Sequence, residues 1–310
     1  MELLHLQPVF KEVVWGGKKL QEKFGYKIPS DRTGECWAIS AHENGDCRIK
    51  GGEYDGQLLS RLWKEHTELF GNYPSEKYPL LVKIIDADKD LSIQVHPDDD
   101  YARIHENGSM GKMECWYVLD CKDGAEIVIR HHAKNHREME KMIREYCWDD
   151  LIRTEPIRPG SFLQIEPGCL HAIKEGTLIL ETQQSSDITY RVYDYDRKEN
   201  GKLRPLHVEK SIDTIAAPYR KADCDTYMEE VQGGKHIHFI TCSHYSVDRY
   251  EIKGVYEKEF SRFFTNVSVI SGSGHINGEK VEKGGHVIIP ASSRFCVMEG
   301  EMDIICSSPL

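Results

Sequence analysis

Apolar stretches in this chain are short, because 25 glycines and 12 prolines punctuate its 310 residues. Such interruption favours short strands joined by turns over long helices, so a mainly β chain is predicted. The clearest strand is Leu91-Ser92-Ile93-Gln94-Val95-His96. Its Leu91, Ile93 and Val95 fall on one face, and Ser92, Gln94 and His96 fall on the other. Pro97 has no N–H to give to a ladder and ends it. A second face of Ser, Gln and His suits the wall of a polar cavity. Two segments follow a helical period instead: Leu58, Leu59, Leu62 and Trp63, then Met139, Met142, Ile143 and Tyr146. The run Asp98-Asp99-Asp100 suits a helix N-terminus, where the dipole favours carboxylates.

Charge narrows the partners. Lys plus Arg is 40 and Asp plus Glu is 51, a net charge of −11, which argues against nucleic acid. A local cluster of Lys and Arg in a cleft still permits an anionic small substrate. No apolar run approaches the roughly 20 residues of a membrane span. The opening residues, MELLHLQPVF, show neither a basic stretch nor a small-residue cleavage site, so no signal peptide is expected. The 10 cysteines form no Cys-x-x-Cys pair. Reduced, core-packed thiols in the cytoplasm are the expectation.

The chain carries a weak internal echo. Residues 157–173, IRPGSFLQIEPGCLHAI, and 281–297, VEKGGHVIIPASSRFCV, share a Gly–strand–Pro–turn–strand plan. His171 follows Pro167 where Arg294 follows Pro290. Two related β units are expected, divided in the polar stretch Lys221–Lys235: a catalytic unit over 1–225, and a smaller one over 226–310 without metal ligands.

Gln94, His96, Glu114 and His171 offer metal-type donors on strand-like segments. Two imidazoles and a carboxylate suit a zinc ion that keeps a position open for water or substrate, and the Gln94 amide oxygen is a candidate fourth ligand. Two other histidine pairs are set aside. His132 and His136 lie at a helix start with no supporting motif, and His236-Ile237-His238 lacks a nearby glutamate.

The motifs then fall into a known order. Trp15-Gly16-Gly17, Gly34-Glu35-Cys36-Trp37, Tyr78 to Lys83 (YPLLVK), Leu91 to Asp98 (LSIQVHPD), Gly111 to Tyr117 (GKMECWY), Pro167 to Ile173 (PGCLHAI) and Ser185 to Arg197 (SSDITYRVYDYDR) follow one another. In this order the chain closely resembles the type I mannose-6-phosphate isomerases, in their short bacterial form, zinc enzymes of the cupin superfamily. The pairing of Gln94-x-His96 with a distant Glu114 replaces the usual cupin His-x-His and is itself a mark of that branch. The resemblance implies an all-β cupin, or jelly-roll, barrel with helical additions and a second, smaller cupin-like β unit. It implies interconversion of mannose 6-phosphate and fructose 6-phosphate through a cis-enediol, with one zinc per chain on Gln94, His96, Glu114 and His171. It also implies a catalytic Arg191, and active-site roles for Lys83, Ser92, Lys112, Glu181 and Asp187.

Chemistry assigns expectations to these groups. Arg191 holds negative charge without changing protonation state. The general base is Glu181, Lys112 or a water on the metal. Lys83, Ser92 and Arg197 are candidates for holding phosphate. Trp15 and Glu35 are candidate sugar contacts, with core packing the competing reading of Trp15, and pairing with Asp187 or Asp194 the competing reading of Arg191. A small sugar phosphate is the expected partner, with no nucleic acid or membrane, and a monomer or weak homo-oligomer is expected. Rival readings are an iron-dependent cupin dioxygenase and a non-catalytic sugar-phosphate sensor.

Overall fold

A computed structural model of the chain describes residues 2–199, 201–260 and 263–310. Strands dominate it, as the punctuation predicts. Three sheets carry the architecture. A six-stranded sheet runs in the order Phe162–Ile165, Glu114–Cys121, Thr177–Gln184, Leu80–Ala87, Thr33–Ile39, Val9–Gly17. A five-stranded sheet runs Ile152–Pro156, Glu126–His131, His171–Ala172, Ile93–Val95, Tyr190–Tyr193. All the pairings within these two sheets are antiparallel.

The strands nearest the middle of the six-stranded sheet are buried on both faces. Every residue of Leu80–Ala87 and of Thr177–Gln184 is buried, including Lys83, Asp86 and Glu181. One face meets a hydrophobic cluster containing Leu80, Val82, Ile84, Leu178 and Leu180. The other carries Lys83 and Glu181 to the cavity wall, beside Ile85, Ala87 and Ile179 of a second apolar cluster. Alternation therefore survives as a choice between two interiors, and not between core and water.

The expected helices form. Leu59–Glu65 buries Leu59, Leu62 and Trp63, and His136–Arg144 buries Met139 and Ile143. Asp98 caps the helix Asp99–His105, its carboxylate accepting from the Tyr101 N–H at 2.8 Å.

The third sheet has nine strands, seven drawn from residues 227–259 and 265–309 and two from the chain's beginning. Leu4–Gln7 pairs with His286–Ile289 on one side and with Arg48–Ile49 on the other. A division at residue 225 thus leaves two strands of this sheet on the far side of the cut. The apolar cores are shared as well: Trp63, Phe70 and Tyr78 pack edge-on or tilted against Phe264, with ring centroids 4.9–5.8 Å apart.

Candidate active site

Two rows of side chains face one another between the six- and five-stranded sheets. In the six-stranded sheet the register places Trp116 opposite Glu181, Glu181 opposite Lys83, and Lys83 opposite Trp37. In the five-stranded sheet it places His171 opposite Gln94, and Gln94 opposite Arg191. Residues directly opposite on antiparallel strands project to the same side. Strand pairing therefore gathers residues more than 150 positions apart in sequence, Trp37 and Arg191, onto the walls of one space. That cavity measures about 360 Å³ and is lined by Trp15, Glu35, Lys83, Ser92, Gln94, Lys112, Glu181, Asp187 and Arg191, among others.

At its inner end His96, Glu114 and His171 are all buried, with ligand-type atoms within 4.8 Å of one another. The His96 and His171 Nε2 atoms are 3.2 Å apart. Each ring has its Nδ1 against a backbone carbonyl, His96 to Ile188 at 2.8 Å and His171 to Cys169 at 2.9 Å. A carbonyl only accepts, so each Nδ1 carries a proton, and the two Nε2 lone pairs of the neutral rings point at each other. Glu114 lies 3.5 Å from both Nε2 atoms, and its Oε1 is buried without a hydrogen-bond partner. Three acceptors facing one point in a buried place need a cation there. The Lys112 ammonium stands beside that point, 3.0 Å from His96 Nε2 and bonded to Glu114 Oε2. The donor set fits a divalent metal ion. Gln94 places its amide nitrogen 3.3 Å from His171 Nε2, and a half-turn of the amide presents the oxygen instead.

Electrostatics agrees with this geometry. Burial, then the Lys112 and His171 charges, push His96 well below the ordinary histidine range. Burial takes His171 down to about 4. Both rings are thus ready ligands at neutral pH. Burial and the neighbouring Glu181 raise Glu114 to about 7. Burial also opposes ionisation of Glu181, but Lys112 and Lys83 outweigh it and hold its carboxyl below the usual range. Glu181 accepts from Trp116 Nε1 at 2.9 Å through Oε2, while Oε1 is buried without a hydrogen-bond partner. That oxygen lies 3.4 Å from Lys83 Nζ and 4.0 Å from Lys112 Nζ. Burial works against the Lys83 ammonium, yet Glu35, Glu181 and Glu114 raise its pKa.

The sequence and the fold are those of a known family. A model of the phosphomannose isomerase type I catalytic domain matches residues 3–139, and one of the mannose-6-phosphate isomerase cupin domain matches residues 235–309. Over 311 residues the chain is 46% identical to the mannose-6-phosphate isomerase ManA of Bacillus subtilis, covering 99% of this chain and 98% of that protein. The chain belongs to the type I mannose-6-phosphate isomerase family. The mannose-6-phosphate isomerase of Streptococcus mutans is 44% identical over 313 residues, covering 99% of this chain and 98% of its own. The crystal structure of a mannose 6-phosphate isomerase from Bacillus subtilis superposes with a TM-score of 0.97 at 43% identity, covering 99% of this chain and 100% of that one. A phosphomannose isomerase mutant from Salmonella typhimurium, 14% identical with a TM-score of 0.80, shares the fold.

Most residues singled out in the sequence meet in this cavity, with exceptions that have physical reasons. Arg197 is not among its lining residues; Asp194, buried, accepts from it at 2.9 Å. The carboxylate expected as a competing partner for Arg191 is thus occupied by Arg197 and by Arg204, at 3.2 Å. Asp187 is exposed and accepts from the Asn44 amide at 2.6 Å. Trp15 is both core and wall: it is buried in a cluster with Ile85, Leu91 and Trp116, yet lines the cavity. Trp37, Thr189, Arg204 and His207 also line it, and sequence reasoning assigned them no role. Trp37 and Thr189 stood inside quoted motifs; Arg204 and His207 stood in none. Elsewhere His236 and His238 both bond Asp248, at 2.7 and 2.9 Å, and His136 bonds the Ile212 carbonyl at 2.9 Å. Arg294, at the echo position of His171, pairs with Glu259 at 3.0 Å.

Proposed function

We propose that this chain interconverts mannose 6-phosphate and fructose 6-phosphate, using a zinc ion held by His96, His171, Glu114 and the Gln94 amide oxygen. The observation that carries the reading is the juxtaposition, in one buried cavity, of a convergent acceptor set with Glu181, Lys112 and Arg191. Family membership over nearly the full length supports the same substrate. Two imidazoles and a carboxylate suit zinc. When bound, the ion supplies a Lewis acid for the open-chain carbonyl and for negative charge on the oxygens at C1 and C2.

The chain's own residues supply the rest. Glu181 Oε1, ionised and lacking a hydrogen-bond partner, takes the C2 proton of the aldose and returns it to C1 of the cis-enediol, while the O2 proton passes to O1. Lys83 and Lys112 keep that carboxylate charged between turnovers. Arg191, opposite Gln94, offers a fixed positive charge to the sugar oxygens. Trp15, Trp37 and Trp116 wall the space and limit water. Ser92, Glu35 and Asp187 contact the sugar hydroxyls. The 10 cysteines are all unpaired, which supports work in the reducing cytoplasm. A small sugar phosphate is the one partner this reading requires, and a monomer or weak homo-oligomer is sufficient for it.

The test is a coupled assay of fructose 6-phosphate formation before and after chelation. Activity on mannose 6-phosphate should disappear with the metal and return with stoichiometric zinc. Full activity in the metal-free protein, or oxygen uptake with iron in place of isomerisation with zinc, would reject the proposal.

A further inference from the structure

The cavity is divided by charge. At its inner end Lys83 and Lys112 stand among Glu35, Glu114 and Glu181, two cations against three carboxylates. This end wants a further cation. Around the far end Arg191, Arg197 and Arg204 stand with Asp194 and Glu199, three guanidiniums against two carboxylates. Guanidiniums thus gather at that end, in a chain whose net charge is −11.

Register sets the order along the cavity. His171, Gln94 and Arg191 lie on three adjacent strands, so two strand spacings of about 4.8 Å separate the His171 backbone from that of Arg191. Beyond Arg191 come His207 and Arg204. The Arg191 N–H donates to His207 Nδ1 at 3.1 Å, and the His207 N–H donates to the Arg191 carbonyl at 2.8 Å. Accepting at Nδ1 leaves the neutral ring its proton on Nε2, a donor on a side chain that lines the cavity. Arg204 gives Nη1 to both oxygens of Asp194 at 3.2 Å, and its Nε is 3.8 Å from Glu199. Its Nη2 has no hydrogen bond among the described residues.

We propose that Arg204 and His207 form the phosphate grip of this cavity, with Asp194 and Arg197 as positioning residues that hold the Arg204 guanidinium in place. The proposal rests on the sugar-phosphate reading above and sharpens it. A guanidinium matches phosphate oxygens in geometry as well as charge. Lys83 is poorly suited to gripping phosphate, because Glu35 and Glu181 balance its charge and it lies over the Trp37 ring at 5.0 Å. Binding the reacting carbons at the metal end then leaves the 6-phosphate at the arginine end, two strands away.

Arg204→Gln in the full-length, zinc-loaded protein tests this. The KM for mannose 6-phosphate should rise roughly tenfold or more, with kcat changed by less than about threefold. Competitive inhibition by inorganic phosphate should weaken by the same factor, and metal content should stay the same. Arg204→Lys, which keeps the charge but not the fork, should fall between the two, and it supplies the readout if the Gln variant does not fold. Unchanged KM and phosphate inhibition, or a loss confined to kcat, would overturn the proposal. Calorimetric titration with inorganic phosphate reads the grip without turnover. A wild-type chain that binds phosphate through Arg204 yet does not isomerise the sugar refutes the functional reading alone.

Discussion

Three side chains report directly on the chemistry and the fold. Glu181→Gln preserves size and can still accept from Trp116, but it removes the proposed proton acceptor. It should lower kcat by about 10²- to 10⁴-fold with little change in KM. Stopped assays on mannose 6-phosphate decide this, and an equal rise in KM would move Glu181 from proton transfer to binding. Glu114 makes metal binding depend on pH. Its carboxyl, at about 7 in the metal-free protein because of burial and Glu181, must lose its proton to bind the ion. Zinc affinity should therefore rise about tenfold per pH unit up to about 7 and level off above it. Chelator competition from about pH 5.5 to 8 measures the slope. His286 tests the fold. Burial holds it down to about 3, between Tyr26 at 2.8 Å and Ser268 at 2.9 Å. Below about pH 6.5 the unfolded chain takes up a proton there that the folded chain refuses, so stability falls from about pH 6.5 toward 3. Urea unfolding of His286→Gln should show a shallower loss over that window than the wild type.

At the level of elements, the helix Asp99–His105 matters because it anchors the loop ahead of Lys112. Asp99 Oδ1 accepts from the Gly111 N–H at 2.7 Å and from Gln184 Nε2 at 3.0 Å. Asp98→Ala removes the cap of that helix and should cost about 1 kcal/mol of stability, read by denaturant unfolding. The same region shows what a sequence can reveal. The alternation of Leu91 to His96 was readable because period two is local, and it put Gln94 and His96 on one face. The acidic cap and the apolar spacing of Leu59, Leu62 and Trp63 were readable for the same reason. The two facing rows were not. Which residue of Thr177–Gln184 sits opposite Lys83 depends on register between strands almost a hundred residues apart, and no local pattern encodes it. Arg204 and His207 follow the last strand of the site without a motif, and only their ties to Asp194 and the Arg191 backbone bring them in. Arg197 and Arg204 are the same residue type seven positions apart, and only Arg197 stands in a quoted motif. The choice between them lies in how each meets a buried carboxylate.

Across the whole molecule, the two β units are interdependent. The sheet of residues 227–309 is completed by Leu4–Gln7 and Arg48–Ile49, and Phe264 is packed by Trp63, Phe70 and Tyr78. We propose the boundary near residue 225 as a division of labour and not of stability. Residues 226–310 expressed alone should show no cooperative unfolding transition by circular dichroism; a sharp transition would mean an independent domain. The internal echo fits such a division. Both copies keep the strand–proline–turn–strand plan, but His171 joins the candidate metal group while Arg294 makes a surface ion pair. Among the described residues no helix is long and apolar enough to cross a membrane.

We propose that catalysis in this chain rests on strands distant in sequence bringing four donors around one ion beside Arg191. Anomalous diffraction at the zinc edge, from crystals of the zinc-loaded protein, shows whether they do. A single peak per chain is expected, about 2.0–2.2 Å from His96 Nε2, His171 Nε2 and a Glu114 oxygen, with the Gln94 amide oxygen turned toward it. A peak elsewhere in the chain, or none at these residues, would refute that arrangement.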